Sequence, residues 1–241
     1  GDDTLLGGIG DDFIEGGAGA DAIDGGSGID TADYSGSASA VTIRTGGVSS
    51  GGDAAGDTLA NIEKIIGSAF ADRFEGNASD EDFTGGSGDD LFIVSAGADI
   101  YRGGTGVDTV DYSTSLTSNM KIYMDSSFGT GGDAAGDRLF EIETVIGSAQ
   151  DDEITASSLS STIYGGLGND KLYGGIAADV LDGQGGDDII ASDLGADQIV
   201  GGSGVDTADY RNSNAAVTIS SDGTTGAGGW AFSLDPPMGP W

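Results

Sequence analysis

Large apolar side chains return every ninth residue along three stretches of this chain. The column runs Leu5, Ile14, Ile23; then Phe74, Phe83, Phe92, Tyr101, Val110; then Ile154, Ile163, Leu172, Leu181, Ile190, Ile199. Each member sits in the middle of a triplet that suits a short strand, with one side chain turned in and its neighbours out. Six residues rich in glycine and aspartate separate one triplet from the next, and glycine tolerates the positive φ that a tight reversal needs. Strand plus turn makes half a coil. Two halves of nine residues close a coil of eighteen, so successive coils stack strands about 4.8 Å apart into two facing parallel sheets. The predicted fold is all-β: a right-handed parallel β-roll, or β-helix solenoid, whose core is the apolar column.

Residues 7–15 read GGIGDDFIE, 16–24 GGAGADAID and 25–33 GGSGIDTAD, which gives the unit GGxGxDxUx with U apolar. The opening GDDTLL fits the last six positions of a preceding copy, so the chain is expected to be part of a longer one. A second run fills 67–111 and a third 147–209, with degenerate copies starting at 76, 94 and 156. The stretches between them share GGDAAGD, unchanged at 51–57 and 131–137. The expected organisation is therefore repeat runs at 1–33, 67–111 and 147–209, spacer elements at 34–66 and 112–146, and a divergent third spacer and tail at 210–241. The tail carries Trp230, Trp241, Pro236, Pro237 and Pro240.

Composition narrows the chemistry. Of 241 residues 47 are glycine, which argues against helical bundles, because each interior glycine costs roughly 1 kcal/mol relative to alanine. Histidine and cysteine are absent, which removes disulfides, imidazole or thiolate metal sites and every triad that needs an imidazole base. No catalytic set remains, and no enzymatic activity is expected. With 41 acidic against 8 basic residues the net charge is −33, which repels nucleic acid and anionic lipid headgroups. No apolar run approaches the roughly 20 residues a spanning helix needs, and GDDTLLGGIG lacks a basic-then-apolar leader pattern. So acidic and glycine-rich a chain has the composition of a disordered polymer unless a repeat and a counter-cation rescue it.

The sixth position of the unit supplies the ligands. It holds Asp3, Asp12, Asp21 and Asp30 in the first run, Asp72, Asp90, Asp99 and Asp108 in the second, and Asp152, Asp170, Asp179, Asp188, Asp197 and Asp206 in the third. Stacking sets each of these over the one two repeats away. Two bare carboxylates about 5 Å apart repel by roughly 3 kcal/mol at an effective dielectric of 20. Ca²⁺ removes that penalty, since it accepts six to eight oxygens at flexible angles and can combine aspartates with the carbonyls of glycine turns; Mg²⁺ wants a tighter octahedron. Roughly eight to ten ions are expected. Asp188 would share ions with Asp170 and Asp206, and Asp179 with Asp197. Glu81 and Ser161 replace the aspartate in two copies and are expected to matter much less.

These GGxGxDxUx nonapeptides resemble the RTX, or hemolysin-type calcium-binding, repeat. The resemblance covers roughly 140 of the 241 residues. It implies type I secretion from a Gram-negative bacterium, an unfolded chain in low-calcium cytosol, and folding outside the cell. The GGDAxGD spacers resemble those of large RTX surface proteins and of the modules attached to alginate epimerases. The tail does not resemble the family's secretion signal, which is expected beyond this stretch.

Two function classes follow. The favoured one is an extracellular calcium-binding structural module of a surface layer, adhesin, matrix or filament; the alternative is a non-catalytic accessory domain of a secreted epimerase, lipase or protease, with glycan as a further partner. Head-to-tail self-association through the tail is expected for the first. Tyr34, Tyr112 and Tyr210, each following the last repeat of a run, are expected to pack at the core's end. Asp53 and Asp57, with Asp133 and Asp137, either chelate an extra ion or cap loops. GVSSG at 47–51 matches a nucleophile-elbow string with no histidine to serve it.

Overall fold

A computed structural model of the chain describes residues 1–212 and the main chain of 229–233. Trp241, Pro236, Pro237 and Pro240 lie outside the described residues. Every strand pairing among the described residues is parallel, in four sheets. The first contains Thr4–Ile9, Ala22–Ser27 and Thr58–Ala60. The second contains Phe13–Ile14, Thr31–Asp33, Lys64–Ile66, Asp82–Ser87, Ile100–Thr105 and Arg138–Phe140. The third runs from Thr42–Arg44 through Arg73–Glu75, Leu91–Ile93, Thr109–Asp111, Thr144–Ile146, Thr162–Leu167 and Val180–Gly185 to Gln198–Val200. The fourth runs from Lys121–Tyr123 through Glu153–Thr155, Lys171–Tyr173, Ile189–Ala191 and Val205–Asp209 to Gly229–Ser233.

Within the repeat runs the register is the eighteen-residue coil: Leu5 opposes Ile23, Phe74 opposes Phe92, Phe83 opposes Tyr101, and Leu172 opposes Ile190. The fold is a β-roll solenoid. Its apolar column is the core, buried from Ile14 to Ile190, with Leu5 and Ile199 half-buried at the two ends. In the second run the column is aromatic and its rings stack coil upon coil, Phe74 on Phe92 with centroids 4.9 Å apart and Phe83 on Tyr101 at 5.9 Å. Such close stacking leaves no room for side chains at the turns. A Cβ on Gly28, where φ is +147°, would strike the carbonyl of Gly10 one coil below.

The spacers are not interruptions of this core. Ile43, Leu59 and Ile65 in the first and Ile122, Leu139 and Val145 in the second pair in register with repeat residues and are buried in the same column. What changes at a spacer is the sheet. The first sheet ends at Thr58–Ala60 while the third begins at Thr42–Arg44, the two being linked by isolated antiparallel bridges, Thr42 with Ser50 and Val48 with Thr58. The second spacer repeats the exchange, ending the second sheet at Arg138–Phe140 and starting the fourth at Lys121–Tyr123. Each GGDAAGD motif forms a single 3-10 turn, Gly52–Ala54 and Gly132–Ala134, that buries Ala54 and Ala134.

Candidate metal centre

The turn before each strand presents the sixth-position residue inward, and stacking brings its carboxylate under the main chain of the previous coil. One oxygen then accepts that coil's amide. Asp152 N–H donates to Asp170 Oδ1, Asp170 to Asp188 at the same 2.8 Å, and Asp188 to Asp206 at 3.1 Å. On the opposite edge Ser161 N–H donates to Asp179 Oδ1 and Asp179 to Asp197 at 3.0 Å. The same ladder links Asp3 to Asp21, Asp12 to Asp30, and Asp72 through Asp90 to Asp108.

The second oxygen has no such donor. Among the described residues, the buried side-chain polar atoms without a hydrogen-bond partner are ten, and all are carboxylate oxygens of this column: those of Asp12, Asp21, Asp30, Glu81, Asp90, Asp108, Asp152, Asp170, Asp179 and Asp188. An ionised carboxylate left half-satisfied out of water is costly, and the group responds by holding its proton. Burial, with neighbouring carboxylates adding to it, pushes Asp170 up to about 8 and Asp90 up to about 7. Asp108, Asp179 and Asp188 are each raised to about 6, burial again leading.

The free oxygens share their space with main-chain carbonyls. A Cβ on Gly7 would lie 2.5 Å from the carbonyl oxygen of Gly25 and 2.7 Å from Asp12 Oδ2. One on Gly165 would lie 2.6 Å from Asp170 Oδ2 and 2.9 Å from the Gly183 carbonyl. Carboxylate and carbonyl are thus close enough for one Ca²⁺ at ligand distances of about 2.3–2.6 Å to touch both. Among the described residues no point gathers three acidic side chains, so the ligand shell mixes carboxylates with carbonyls, as a hard, oxygen-seeking cation accepts. The first-position glycine keeps that space open.

Comparison with known families agrees with this geometry. The family of RTX calcium-binding nonapeptide repeats matches residues 1–32, 57–92, 75–110, 141–181, 158–190 and 173–208. The chain belongs to the RTX repeat family. No curated protein matches it. RTX repeats bind calcium, and the residues present fit that ion: aspartate Oδ2 atoms and glycine carbonyls would hold it, and it would supply the positive charge that ten buried oxygens lack.

The RTX column is not uniform. Nine of the fourteen aspartates expected as ligands carry a free buried oxygen. Asp72 does not: Ser68 N–H donates to its Oδ2 at 2.5 Å, while the Ser68 hydroxyl and Val41 N–H fill Oδ1. Asp99 takes Glu81 N–H on Oδ1 and the hydroxyls of Tyr101 and Ser95 on Oδ2. Asp152 keeps one free oxygen, Ser148 occupying the other. Asp3 is exposed, Asp197 is half-buried, and Asp206 is buried with Oδ1 on Asp188 N–H.

Glu81 and Ser161, paired in the sequence reading as weak substitutes, part company. Glu81 is buried with Oε2 free, and burial followed by the charge of Asp99 raises it to about 7. Ser161 satisfies itself on the Leu159 carbonyl. The residue five positions earlier separates them: Gly76 precedes Glu81, whereas Ala156 precedes Ser161. All ten free oxygens follow a first-position glycine, and Val94 and Ser192 precede Asp99 and Asp197, which lack one. That signal is visible in the sequence.

Sequence reasoning missed the spacer's share of the column. Asp57 Oδ1 accepts Asp21 N–H and its Oδ2 the hydroxyl of Tyr34 at 3.0 Å; Asp137 does the same with Asp99 N–H and Tyr112. Asp57 and Asp137 therefore neither cap a local loop nor offer a free oxygen, and Tyr34 and Tyr112, buried as expected, also act as donors. Glu63 and Glu143 occupy the sixth position on the other edge, each accepting the amide of Asp30 or Asp108 at 2.9 Å. The clue was the acid-x-apolar triplet, as in Asp57-Thr58-Leu59 and Glu143-Thr144-Val145, and the family match does reach into the spacers from 57 and 141.

Proposed function

We propose that this RTX chain is a non-catalytic structural module of an extracellular bacterial protein, a surface-layer, adhesin, matrix or filament component that folds when it meets calcium outside the cell. The observation that carries the reading is the set of ten buried, unpartnered carboxylate oxygens: the folded state is electrostatically incomplete without cations. About eight to ten ions are assigned to it. RTX repeats are typical of secreted bacterial proteins, and no helix among the described residues is long and apolar enough to cross a membrane. Sites of the extracellular class bind with a dissociation constant of roughly 10⁻⁴ M, so about 1 mM calcium contributes roughly 1.4 kcal/mol per site. Summed over the assigned ions that exceeds about 10 kcal/mol, comparable with the whole stability of a domain. Self-association of such modules end to end belongs to the same reading. Far-ultraviolet circular dichroism tests the central claim: the strand spectrum should collapse in excess EDTA and return with calcium, and a spectrum indifferent to EDTA would refute it.

A further inference from the structure

Where the first and second repeat runs enter their spacers, the next coil has no glycine pair, yet the carboxylate below it is left free. Asp30 and Asp108 are fully buried, 0% exposed, and the Oδ2 of each has no partner. In an ordinary coil the companion oxygen is the carbonyl of a first-position glycine, as Gly25 serves Asp12. Here a different main-chain group takes that place. A Cβ on Gly25 would meet the Asn61 carbonyl and, at 2.6 Å, Asp30 Oδ2; one on Gly103 would meet the Glu141 carbonyl and Asp108 Oδ2. Asn61 and Glu141 both adopt left-handed backbone, φ 49° and 54°, a region that non-glycine residues rarely enter and that here aims their carbonyls into the column. Two residues further on, half-buried Glu63 and Glu143 bring a carboxylate to the same edge through their bonds to Asp30 and Asp108 N–H.

We propose that the two spacers each complete a divalent-cation site outside the nonapeptide pattern, one held by Asp30 Oδ2, the Asn61 carbonyl and Glu63, the other by Asp108 Oδ2, the Glu141 carbonyl and Glu143. The two related spacers build this arrangement with different residues, Asn in one and Glu in the other, at the left-handed position. The inference rests on the calcium reading above and extends it to the junctions: calcium pins each sheet exchange as well as the regular coils.

The test uses the full chain and calcium alone. Glu63→Gln and Glu143→Gln keep an acceptor for the amides of Asp30 and Asp108 while removing the charge. Each should leave one ion bound at least tenfold more weakly in calorimetric titration, and the double variant two, with the strand spectrum at saturating calcium unchanged. Asn61→Gly with Glu141→Gly retains the carbonyls and suits positive φ, so it should bind the wild-type number of ions. Wild-type stoichiometry and affinity in the double glutamine variant would overturn the proposal, as would loss of two ions in the glycine pair, which would assign the ions to those side chains. Asp188→Asn, in the third run, separates the two readings. If it weakens binding while the glutamine variants do not, only the spacer sites fail; if the wild-type chain binds no calcium, the calcium reading fails and this one with it.

Discussion

At Asp188, in the third repeat run, one carboxylate oxygen takes the amide of Asp170 and the other meets no protein donor; at Asp137, in the second spacer, the amide of Asp99 fills one oxygen and the hydroxyl of Tyr112 the other. Both groups are buried in the same column, and burial raises both, Asp188 to about 6 and Asp137 to about 7. The difference lies in who completes the carboxylate. In most of the repeat coils the second oxygen is left for a cation, and on the function proposed above folding there depends on the medium. At the spacers tyrosine completes the carboxylate at Asp57 and Asp137, and serine at Asp72 just after the first, while Ser148 fills only one oxygen of Asp152 after the second. These hydroxyl-completed coils sit where one sheet hands over to another and the stacking register is most easily lost. Each spacer thus completes the carboxylate on one edge from within, at Asp57 or Asp137, and leaves the one on the other edge, Asp30 or Asp108, open.

The largest expected effect of this contrast appears on chelation. Hydrogen exchange as calcium is lowered below saturation should strip protection first from the amides of Asp170 and Asp188, while those of Asp21 and Asp99, bonded to Asp57 and Asp137, retain it longer. Uniform loss across both regions would erase the distinction. Next in size, Tyr112→Phe removes the hydroxyl from a fully buried pair and leaves Asp137 with an unpaired oxygen. It should cost about 1–3 kcal/mol at limiting and at saturating calcium alike. Asp188→Ala should cost about 1.4 kcal/mol or more per weakened ion at about 1 mM calcium, and less as calcium is lowered. Denaturant titrations of both variants at limiting and at saturating calcium separate them, and equal calcium dependence would remove the contrast.

Acidity probes the same oxygens. Without calcium the folded chain holds protons that an unfolded chain, with aspartates near 3.9, would release. Their stabilising contribution is fully present below about pH 4 and is lost as pH rises through the folded values, about 6 for Asp108, Asp179 and Asp188, about 7 for Asp90 and about 8 for Asp170. The calcium-free chain should therefore gain strand signal on going from pH 8 to pH 4.5, and calcium affinity should fall over the same interval as protons compete. A flat calcium-free profile would contradict this.

The architecture was legible because every repeat announces its phase: the apolar column, from Ile14 to Ile190, is the buried core, and its eighteen-residue spacing is the sheet register. The spacer core was harder to read. Ile43, Leu59 and Ile65 are spaced to join strands from different sheets, so no fixed period links them, and a search keyed on paired glycines passes over Asp57 and Glu63. The hydroxyl partners were illegible for a related reason. Tyr34 and Asp57, or Tyr112 and Asp137, meet only after the insertion folds back through its antiparallel bridges, and nothing local pairs them.

The smallest expected effect concerns the one third-run copy whose sixth position is not acidic. Restoring the aspartate at Ser161 looks sufficient from the motif, but Ala156 stands where ordinary copies have glycine, and it is buried. In the neighbouring coil a Cβ on Gly165 would come within 2.6 Å of Asp170 Oδ2, closer than a carbon can approach an oxygen it does not bond. Ala156 already has that Cβ, so Ser161→Asp alone should destabilise the chain and add no ion. The double variant Ala156→Gly with Ser161→Asp opens the space and supplies the ligand together, beneath Asp179, whose Oδ1 already accepts the amide of residue 161. It should bind one more calcium than the wild type, with the gain strongly non-additive because the two changes share one site. Ser161→Ala should change neither stoichiometry nor affinity, and a full extra ion in Ser161→Asp alone would show that the first-position glycine does not gate the site.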